Sequence, residues 1–151
     1  MRNRRQLECS SAGDKRFSSL YAKVSIFGKN DCIVSHVQLS KRFLHEKPKH
    51  WTDARGRYAT HLEIQGVRLN PRLLVQWNKF LWMKYLDANP QLVEEARTYN
   101  VFTDKFADVD SHDAEAIKQY VKKGRESIIK ECKELLQVIS ENNLAKLSVV
   151  K

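Results

Sequence analysis

The chain has 151 residues, of which 42% are hydrophobic and 30% are charged, a composition typical of a globular domain and not of a disordered chain. Its formal net charge of +9 favours phosphate-bearing partners over cationic ones. Three scattered cysteines without C-x-x-C spacing argue against a disulfide framework or a zinc ribbon, and no signal-peptide pattern or membrane-spanning apolar run occurs. We therefore expect one cytoplasmic domain over residues 1–151, without a membrane partner, whose residues 1–5 form a flexible basic tail.

The first third of the chain alternates short strand patterns with turns. Residues 6–9 are typical of a short strand, and the small polar residues that follow predict a tight loop. Residues 20–27 alternate between apolar and polar side chains, which predicts a second strand. The sequence then predicts a turn over residues 28–31 and a helix over residues 32–44, with Asp31 as its cap.

The middle of the chain contains a long polar segment followed by a hairpin and a helix. Residues 45–57 are basic and interrupted by proline and glycine, which predicts a long exposed loop. Residues 58–69 predict a hairpin that turns at Gln65-Gly66. Asn70-Pro71 begins a helix with aromatic residues at helical spacing, and we interpret these aromatics as core, not as a base-stacking platform.

Three further helical segments complete the chain. One begins at Asn89-Pro90 and runs to about Thr98, one is capped by Ser111, and Gly124 separates the latter from a last helix over residues 126–139. Together the elements predict an α+β domain, in which a small mixed β-sheet of about four strands is surrounded by about five helices. We expect the loop over residues 10–18 and the helix over residues 33–43 to line one pocket.

The loop over residues 10–18 combines hydroxyl groups, a glycine, a carboxylate and two cations. Gly13 would let backbone N–H groups approach an anion, Arg16 would grip a phosphate, and Asp14 would bind ribose hydroxyls. Neither of the common glycine-rich phosphate-binding patterns occurs, so a solvated turn with an aspartate cap remains the alternative interpretation.

Two segments of the first third resemble a known family. Residues 14–21 read Asp-Lys-Arg-Phe-Ser-Ser-Leu-Tyr, and residues 33–43 read Ile-Val-Ser-His-Val-Gln-Leu-Ser-Lys-Arg-Phe. In kind and separation, Phe17-Ser18-Ser19-Leu20 and Gln38-x-x-Lys41-x-Phe43 resemble the NADAR family, which is associated with NAD and ADP-ribose. The resemblance implies cleavage of an N-glycosidic bond, either in phosphorylated riboflavin-pathway intermediates or in ADP-ribose attached to guanine bases. The loop is also similar to small phage and prophage proteins of unknown function, which implies no reaction.

The family's motif places a glutamate where this chain has Val34 and a histidine where it has Ser35. Cleavage of an N-glycosidic bond passes through an oxocarbenium-like state, so it needs a carboxylate near the anomeric carbon and a donor for the departing base. The hypothesis is therefore a protein that binds a nucleotide or an ADP-ribose-like ligand without a cofactor and, if it is an enzyme, hydrolyses an N-glycosidic bond. The predicted catalytic residues are Asp14, Gln38 and Asp104, and the predicted ligand-binding residues are Ser10, Ser11, Gly13, Arg16, Phe17, Ser18, Tyr21 and Lys41.

Carboxylates and an imidazole cluster before one of the predicted helices. Asp108, Asp110, His112 and Asp113 have side chains that suit several divalent ions. Aspartate and serine are also the residues that the backbone and dipole of a helix start favour. We interpret the group as helix caps and predict no metal site.

The second hypothesis uses the basic residues directly, as a surface that binds nucleic acid without catalysis. Arginines at positions 2, 4 and 5, the pair Lys41-Arg42 and the polar loop supply the cations, and Tyr58 adds an aromatic ring. Basic groups interleaved with aromatics suit phosphate contact and base stacking. The predicted contact residues in the loop are Lys47, Lys49, Trp51, Arg55 and Arg57. The sequence does not define an oligomeric state.

Overall fold

The computed structural model describes residues 5–105 and 112–141. Residues 1–4 of the predicted basic tail and the predicted cap Ser111 lie outside the described residues. Within those residues the strands are β1 (Gln6–Glu8), β2 (Lys23–Ile26), β3 (Lys29–Cys32), β4 (Lys41–Arg42), β5 (His61–Ile64), β6 (Val67–Leu69) and β7 (Val101–Thr103). The helices are α1 (Ile33–Gln38), α2 (Leu74–Asp87), α3 (Pro90–Ala96), α4 (Asp113–Lys123), α5 (Arg125–Glu131) and α6 (Lys133–Glu141).

Two tight hairpins have the same kind of turn. In the first, β2 and β3 pair antiparallel around Phe27-Gly28, and in the second, β5 and β6 pair around Gln65-Gly66. All four turn residues have positive φ, as a two-residue turn requires when it matches the twist of its strands. The hairpin predicted at Gln65-Gly66 is confirmed. The predicted turn over residues 28–31 is wrong, because Lys29–Cys32 belongs to β3.

A parallel pair joins the two ends of the first hundred residues. Leu7 of β1 lies opposite Phe102 of β7, and the Cys9 N–H extends the ladder by donating to the Thr103 carbonyl at 2.6 Å. The strand over residues 6–9 is confirmed, whereas β7 has no clear pattern in the sequence, since all three of its side chains are only half-buried. The pairing places Cys9, which directly precedes the loop over residues 10–18, beside Thr103, the last residue of β7.

The helix predicted over residues 32–44 is wrong beyond Gln38. Helix α1 ends there, and Lys41–Arg42 instead forms β4, with Lys41 opposite Leu62 of the central strand β5. The Ser40 carbonyl also accepts the N–H of Glu63 at 2.8 Å, which continues the pairing. Hydrogen bonds to a neighbouring strand have outweighed the local helical spacing, as tertiary context commonly does.

Helix α2 is the centre of the core. Its start is the predicted one, because the Asn70 side chain accepts the Arg72 N–H at 2.9 Å and Pro71 begins a 3-10 turn that continues into the helix. The helix packs against α1, α3, α4, α5 and β2. Its aromatic residues Trp77, Phe80 and Trp82 are buried, so their interpretation as core is confirmed.

The C-terminal helices cover the other side of α2. The predicted helix at Asn89-Pro90 is α3, and the predicted break at Gly124 is confirmed by its φ of 92°. The predicted last helix is divided in two at Cys132, which separates α5 from α6. A bidentate pair between Arg72 and Glu134 ties α6 to the start of α2.

The fold is a single compact α+β domain, as predicted. Its strands lie in three small sheets of two or three strands, with orders β1-β7, β2-β3 and β4-β5-β6, and not in one sheet of four. Helices therefore supply most of the core, and the sheets edge it. None of the helices in the described ranges has the length and apolar character that a bilayer crossing needs.

Candidate functional site

The loop over residues 10–18 is shaped by an aspartate cap and by close packing. The Asp14 carboxylate accepts the Arg16 N–H at 3.0 Å and begins a 3-10 turn, Lys15–Phe17, whose Phe17 ring is buried. Gly13 lies against the Glu8 carbonyl so closely that a Cβ would come within 2.2 Å of the oxygen. Gly13 is thus needed here for packing, which is a different reason from the anion approach that the sequence suggested.

The Arg16 guanidinium binds two carboxylates of the protein itself. Its Nε lies 3.0 Å from Asp14 Oδ1, and its Nη1 lies 3.1 Å from Glu95 Oε1 on α3. The hydrogen bond from Arg16 lowers the pKa of Asp14 below its ordinary value. Both residues therefore stabilise the loop against α3, and a phosphate would have to displace Asp14 or Glu95 to reach the guanidinium.

The other predicted ligand residues of this loop divide into buried and exposed groups. Ser10 is buried and donates to Glu8 Oε2 at 2.7 Å, and Ser18 is buried with its hydroxyl accepting the Leu20 N–H at 3.3 Å. Ser11 is exposed, and the Tyr21 ring is half-exposed with the Lys15 amine 5.0 Å from its centre. The surface that this loop offers is therefore Ser11, Lys15 and Tyr21.

Two acidic side chains lie near Cys9, and one of them, Asp113, is buried. Asp113, at the start of α4, accepts the Trp82 indole N–H at 2.8 Å and the Asn78 amide at 3.1 Å, and burial raises its pKa. Asp104 follows β7 and accepts the Ala114 N–H at 3.3 Å. Both carboxylates act electrostatically on Cys9, whose thiol pKa is raised first by burial and then by them. The structure thus brings the predicted catalytic residue Asp104 next to the start of the loop.

Two of the four side chains that were considered as metal ligands lie outside the described residues. Asp108 and Asp110 lie outside the described residues, and the Asp113 carboxylate is engaged by Trp82 and Asn78. Across residues 5–105 and 112–141, no group of three or more histidine, cysteine, aspartate or glutamate side chains is arranged to hold a metal ion.

Gln38 and Lys41 do not share a helical face. Gln38 ends α1 and is fully buried, whereas Lys41 lies on β4 and only 1% of it is exposed. The Lys41 amine donates to the carbonyls of Ala54 at 3.1 Å and Arg57 at 2.8 Å. The prediction that Lys41 holds a ligand phosphate is therefore wrong in its geometry. Its ammonium group instead fastens the polar loop to the sheet.

A cavity of about 600 Å³ lies beside that fastened loop. Among the described residues its lining contains four cationic side chains and no acidic one, and we call it the cationic cleft: Lys29, Leu39, Arg42, Lys47, Pro48 and Lys49. An adjoining cavity of about 330 Å³ shares Lys47, Pro48 and Lys49 with it. The second cavity adds Phe43, Glu46, Asp53 and Arg57 to the lining. The two cavities share the segment 47–49 in their linings, and we call them together the groove.

The cations of the cleft differ in how firmly they are held. Arg42 is fixed, because its Nη1 donates to the Leu39 and Lys41 carbonyls at 2.7 and 2.9 Å. Lys47 and Lys49 are exposed, and within residues 5–105 and 112–141 neither amine has an ion pair. Lys29 lies 3.7 Å from Asp31 at 61% exposure, which leaves the ion pair weak. Arg42 also has a long ion pair, with its Nε 3.7 Å from Glu63 Oε1. Within the described residues, the unpaired positive charge of the cleft therefore comes from Lys47 and Lys49.

Aromatic rings alternate with the cations next to the cleft. The Arg57 guanidinium stacks on Phe43 at 3.9 Å, and the Arg55 guanidinium lies 5.5 Å from the centre of the Trp51 ring. Tyr58 follows directly in the chain and is 96% exposed. Of the residues predicted for nucleic-acid contact, Lys47, Lys49 and Arg57 line the two cavities, whereas Trp51 and Arg55 line neither of them.

Two of the cleft's cations lie on strands that the sequence did not predict. Lys29 stands in a segment whose pattern predicts a turn, and the β2–β3 pairing brings it to the groove. Arg42 stands in a segment whose pattern predicts a helix, and β4 holds it there instead. Gly28 was the signal in the sequence that could have placed Lys29, since a glycine at this point is typical of a two-residue hairpin turn.

Another cavity is charge-balanced. It measures about 650 Å³ and lies between α2, α3 and the α4–α5 junction. Its arginines are paired, Arg125 with Asp87 at 2.9 Å and Arg97 with Glu94. Its Tyr120 hydroxyl donates to Asp87 at 2.6 Å, and burial with this bond raises the pKa of Tyr120 to about 12. These pairs give the cavity no net charge with which to attract an anion.

Comparisons with known proteins give no relative for the chain. No protein-family model matches it, and a search of curated proteins finds no match.

Proposed function

We propose that this protein binds nucleic acid through the cationic cleft. The observation that supports the proposal is a lining of four cations without an acid among the described residues, in which Lys47 and Lys49 remain without ion pairs. Binding of phosphates to such lysines releases counterions, which is the main source of affinity in sequence-independent binding. The net charge of +9 adds a long-range attraction for polyanions.

The arrangement of the cations in the cleft suits a ligand that carries a chain of phosphates. Arg42 offers a planar guanidinium whose position is set by two carbonyls, and such a group binds phosphate with directed hydrogen bonds. Lys47 and Lys49 act as mobile point charges on either side of Pro48, which is itself buried. The shared lining of the two cavities lets consecutive phosphates occupy neighbouring positions along one groove.

The test is fluorescence anisotropy of labelled oligonucleotides at 50 to 200 mM salt. We expect binding that weakens steeply with salt, and we expect the double variant Lys47→Gln/Lys49→Gln to reduce the slope of log K against log salt by about 1 to 2. The matched control is Lys118→Gln/Lys123→Gln, which removes the same charge from exposed positions on α4. Salt-insensitive binding, or an equal loss in both double variants, would overturn the proposal.

A second candidate function is supported by the position of Asp104. The β1–β7 pair brings its carboxylate, together with Asp113, next to Cys9 at the start of the loop that resembles the NADAR family. An N-glycosidase would bind a nucleotide or ADP-ribose-like ligand over Ser11 and Tyr21, with Asp104 as the carboxylate that steadies the sugar cation. Asp14 is the less suited carboxylate, because Arg16 already neutralises it.

Chromatographic detection of the released base separates the two functions. NAD, nucleoside monophosphates and ADP-ribosylated guanine oligonucleotides are the substrates to offer. For a glycosidase we expect base release that Asp104→Asn abolishes, while salt-sensitive oligonucleotide binding in the same variant is unchanged. Absence of base release from every substrate, or full release by Asp104→Asn, would reject this second function and leave the first intact.

A further inference from the structure

We propose that the ligand of the cationic cleft is single-stranded nucleic acid, whose bases stack on Tyr58; the inference rests on the proposed function. Tyr58 is the starting observation. Its ring is 96% exposed, whereas the large aromatic residues of α2 are buried in the core. An aromatic ring that packs against nothing in the protein has its whole face open to a partner.

The position of Tyr58 ties it to the phosphate groove. It follows Arg57, which lines the smaller cavity and stacks on Phe43 at 3.9 Å. The Arg57 carbonyl is fixed by the buried Lys41 amine at 2.8 Å, so the backbone that carries Tyr58 is anchored to β4. A ring on an anchored backbone, next in the chain to a residue that lines the groove, is suited to hold a base while the cations hold the phosphates.

The same segment offers further stacking surfaces. Arg57 lies over the Phe43 ring at 3.9 Å and Arg55 lies over the Trp51 ring at 5.5 Å, so two guanidinium groups are next to aromatic rings. Flat guanidinium planes and aromatic faces both stack on bases, and neither distinguishes one base from another. We therefore expect contact with several successive bases and weak sequence preference.

Base stacking selects unpaired strands. In a duplex each base is already stacked between its neighbours, and only its edges are open in the grooves. A base can lie on Tyr58 only when the strand is single or locally melted. Duplex nucleic acid of the same length would use the lysines and Arg42 alone, so it would bind more weakly per phosphate contact.

The experiment compares three probes on the full chain by anisotropy or by competition at about 100 mM salt. The probes are a labelled thymidine oligonucleotide, the matching duplex, and inorganic polyphosphate, which has the charges but no bases. We expect Tyr58→Ala to bind the oligonucleotide roughly 5- to 100-fold more weakly. We expect unchanged binding of polyphosphate and duplex by this variant, and near-normal oligonucleotide binding by Tyr58→Phe.

The controls separate failure of the inference from failure of the proposed function. Leu44→Ala removes another large exposed apolar side chain, one without an aromatic face, and should leave all three affinities unchanged. If Tyr58→Ala binds the oligonucleotide like the unaltered chain while Lys47→Gln/Lys49→Gln is weakened, stacking is rejected and cleft binding survives. If none of the probes binds, or an acidic peptide binds better than the oligonucleotide, the proposed function itself fails.

Discussion

Lys41 shows how a charged side chain can act inside a protein instead of on a ligand. Its ammonium group is almost fully buried, and it donates to the carbonyls of Ala54 and Arg57. Backbone carbonyls that are removed from water need a donor, and a lysine that reaches both of them closes the polar loop onto β4. The residue thus positions the loop that carries Lys47, Lys49 and Tyr58 without contacting the ligand.

We expect Lys41→Met to destabilise the protein and to weaken oligonucleotide binding together. Methionine fills a similar volume but cannot donate, so two carbonyls lose their partner at a cost of about 1–3 kcal/mol in the free energy of unfolding. Urea denaturation measures that loss, and anisotropy measures the affinity. Lys47→Met is the control, since this exposed position should change stability by less than about 0.5 kcal/mol. Equal stability of the two variants would contradict the positioning role.

Asp113 makes a pH-dependent contribution to stability. Burial raises its pKa above the ordinary value of 3.8, so the folded chain resists its ionisation more than the unfolded chain does. Below pH 3.8 both states are protonated and the residue has no effect. As the pH rises through and above 3.8, Asp113 ionises in the unfolded chain before it ionises in the folded chain. The free energy of unfolding therefore falls until the pH passes the raised pKa of the folded chain.

Asp113→Asn removes this titration while keeping an oxygen for Trp82 and Asn78. We compare the free energy of unfolding of the variant with that of the unaltered chain. We expect the difference, variant minus unaltered chain, to become more positive as the pH rises from 3 to 7. Urea denaturation across that range measures the difference. Glu126→Gln is the comparison variant, since it removes a carboxylate that is 86% exposed. Parallel curves for Asp113→Asn would show that the carboxyl has its ordinary pKa.

At the scale of elements, the two hairpins depend on left-handed turn residues. Gly28 has φ of 77°, and a side chain at this position would meet no neighbouring atom within 4 Å. A substitution there strains only the local backbone, because the surrounding space is open. The β2–β3 hairpin is therefore a place where backbone conformation can be tested without a packing change.

We expect Gly28→Val to destabilise the protein by about 1–2 kcal/mol, because a β-branched residue is unfavourable at positive φ. Gly28→Asn should cost less, since asparagine tolerates the left-handed region. Thermal denaturation of both variants measures the difference. The Gly28→Val variant should also weaken oligonucleotide binding, because Lys29 begins the strand after this turn. Equal melting temperatures for the two variants would be inconsistent with the strained turn.

The elements that the sequence predicts best are those with local causes. The start of α2 at Asn70-Pro71, the turn at Gln65-Gly66 and the break at Gly124 each depend on residues that are neighbours in the chain. The elements that sequence patterns miss depend on distant partners, since β4 exists through β5, and β7 exists through β1. Local spacing contains no information about such partners.

The same distinction applies to the two sites. The basic and aromatic residues of the polar loop were predicted as a group because they are adjacent in sequence, and three of them, Lys47, Lys49 and Arg57, line the groove. The partners of Arg16 and Lys41 were not predictable, because Glu95 comes from α3 and the carbonyls come from the polar loop. The cations are easily identified in a sequence, but only the fold shows whether they already bind other groups of the protein.

At the scale of the whole molecule, β1 closes the domain. Leu7 is buried in the core cluster, although it lies within the first residues that the structure describes. The Arg5 carbonyl also accepts the N–H groups of Asn100 at 2.8 Å and Val101 at 3.1 Å. The N-terminal strand is therefore part of the cooperative unit and not an appendage of it.

We expect Leu7→Ala to lower the free energy of unfolding by about 2–5 kcal/mol, as for other large core side chains cut to alanine. The loss should appear in a single transition, with coincident curves from circular dichroism and tryptophan fluorescence, because α2 carries two of the tryptophans in the same core. The neighbouring Gln6→Ala is the control, since this exposed residue should change stability by less than about 0.5 kcal/mol. Separate transitions for the two probes would place β1 outside the cooperative unit.

The β1–β7 pair also sets an order of events while the chain is being made. Glu8 and its partner Thr103 stand 95 positions apart, and at usual elongation rates a ribosome needs roughly 5–20 s to add that many residues. During that interval the N-terminal strand has no partner and its edge is open to other chains. The β2–β3 hairpin, whose strands are adjacent, is complete far earlier. A nascent chain can therefore complete the β2–β3 hairpin well before β1 meets β7.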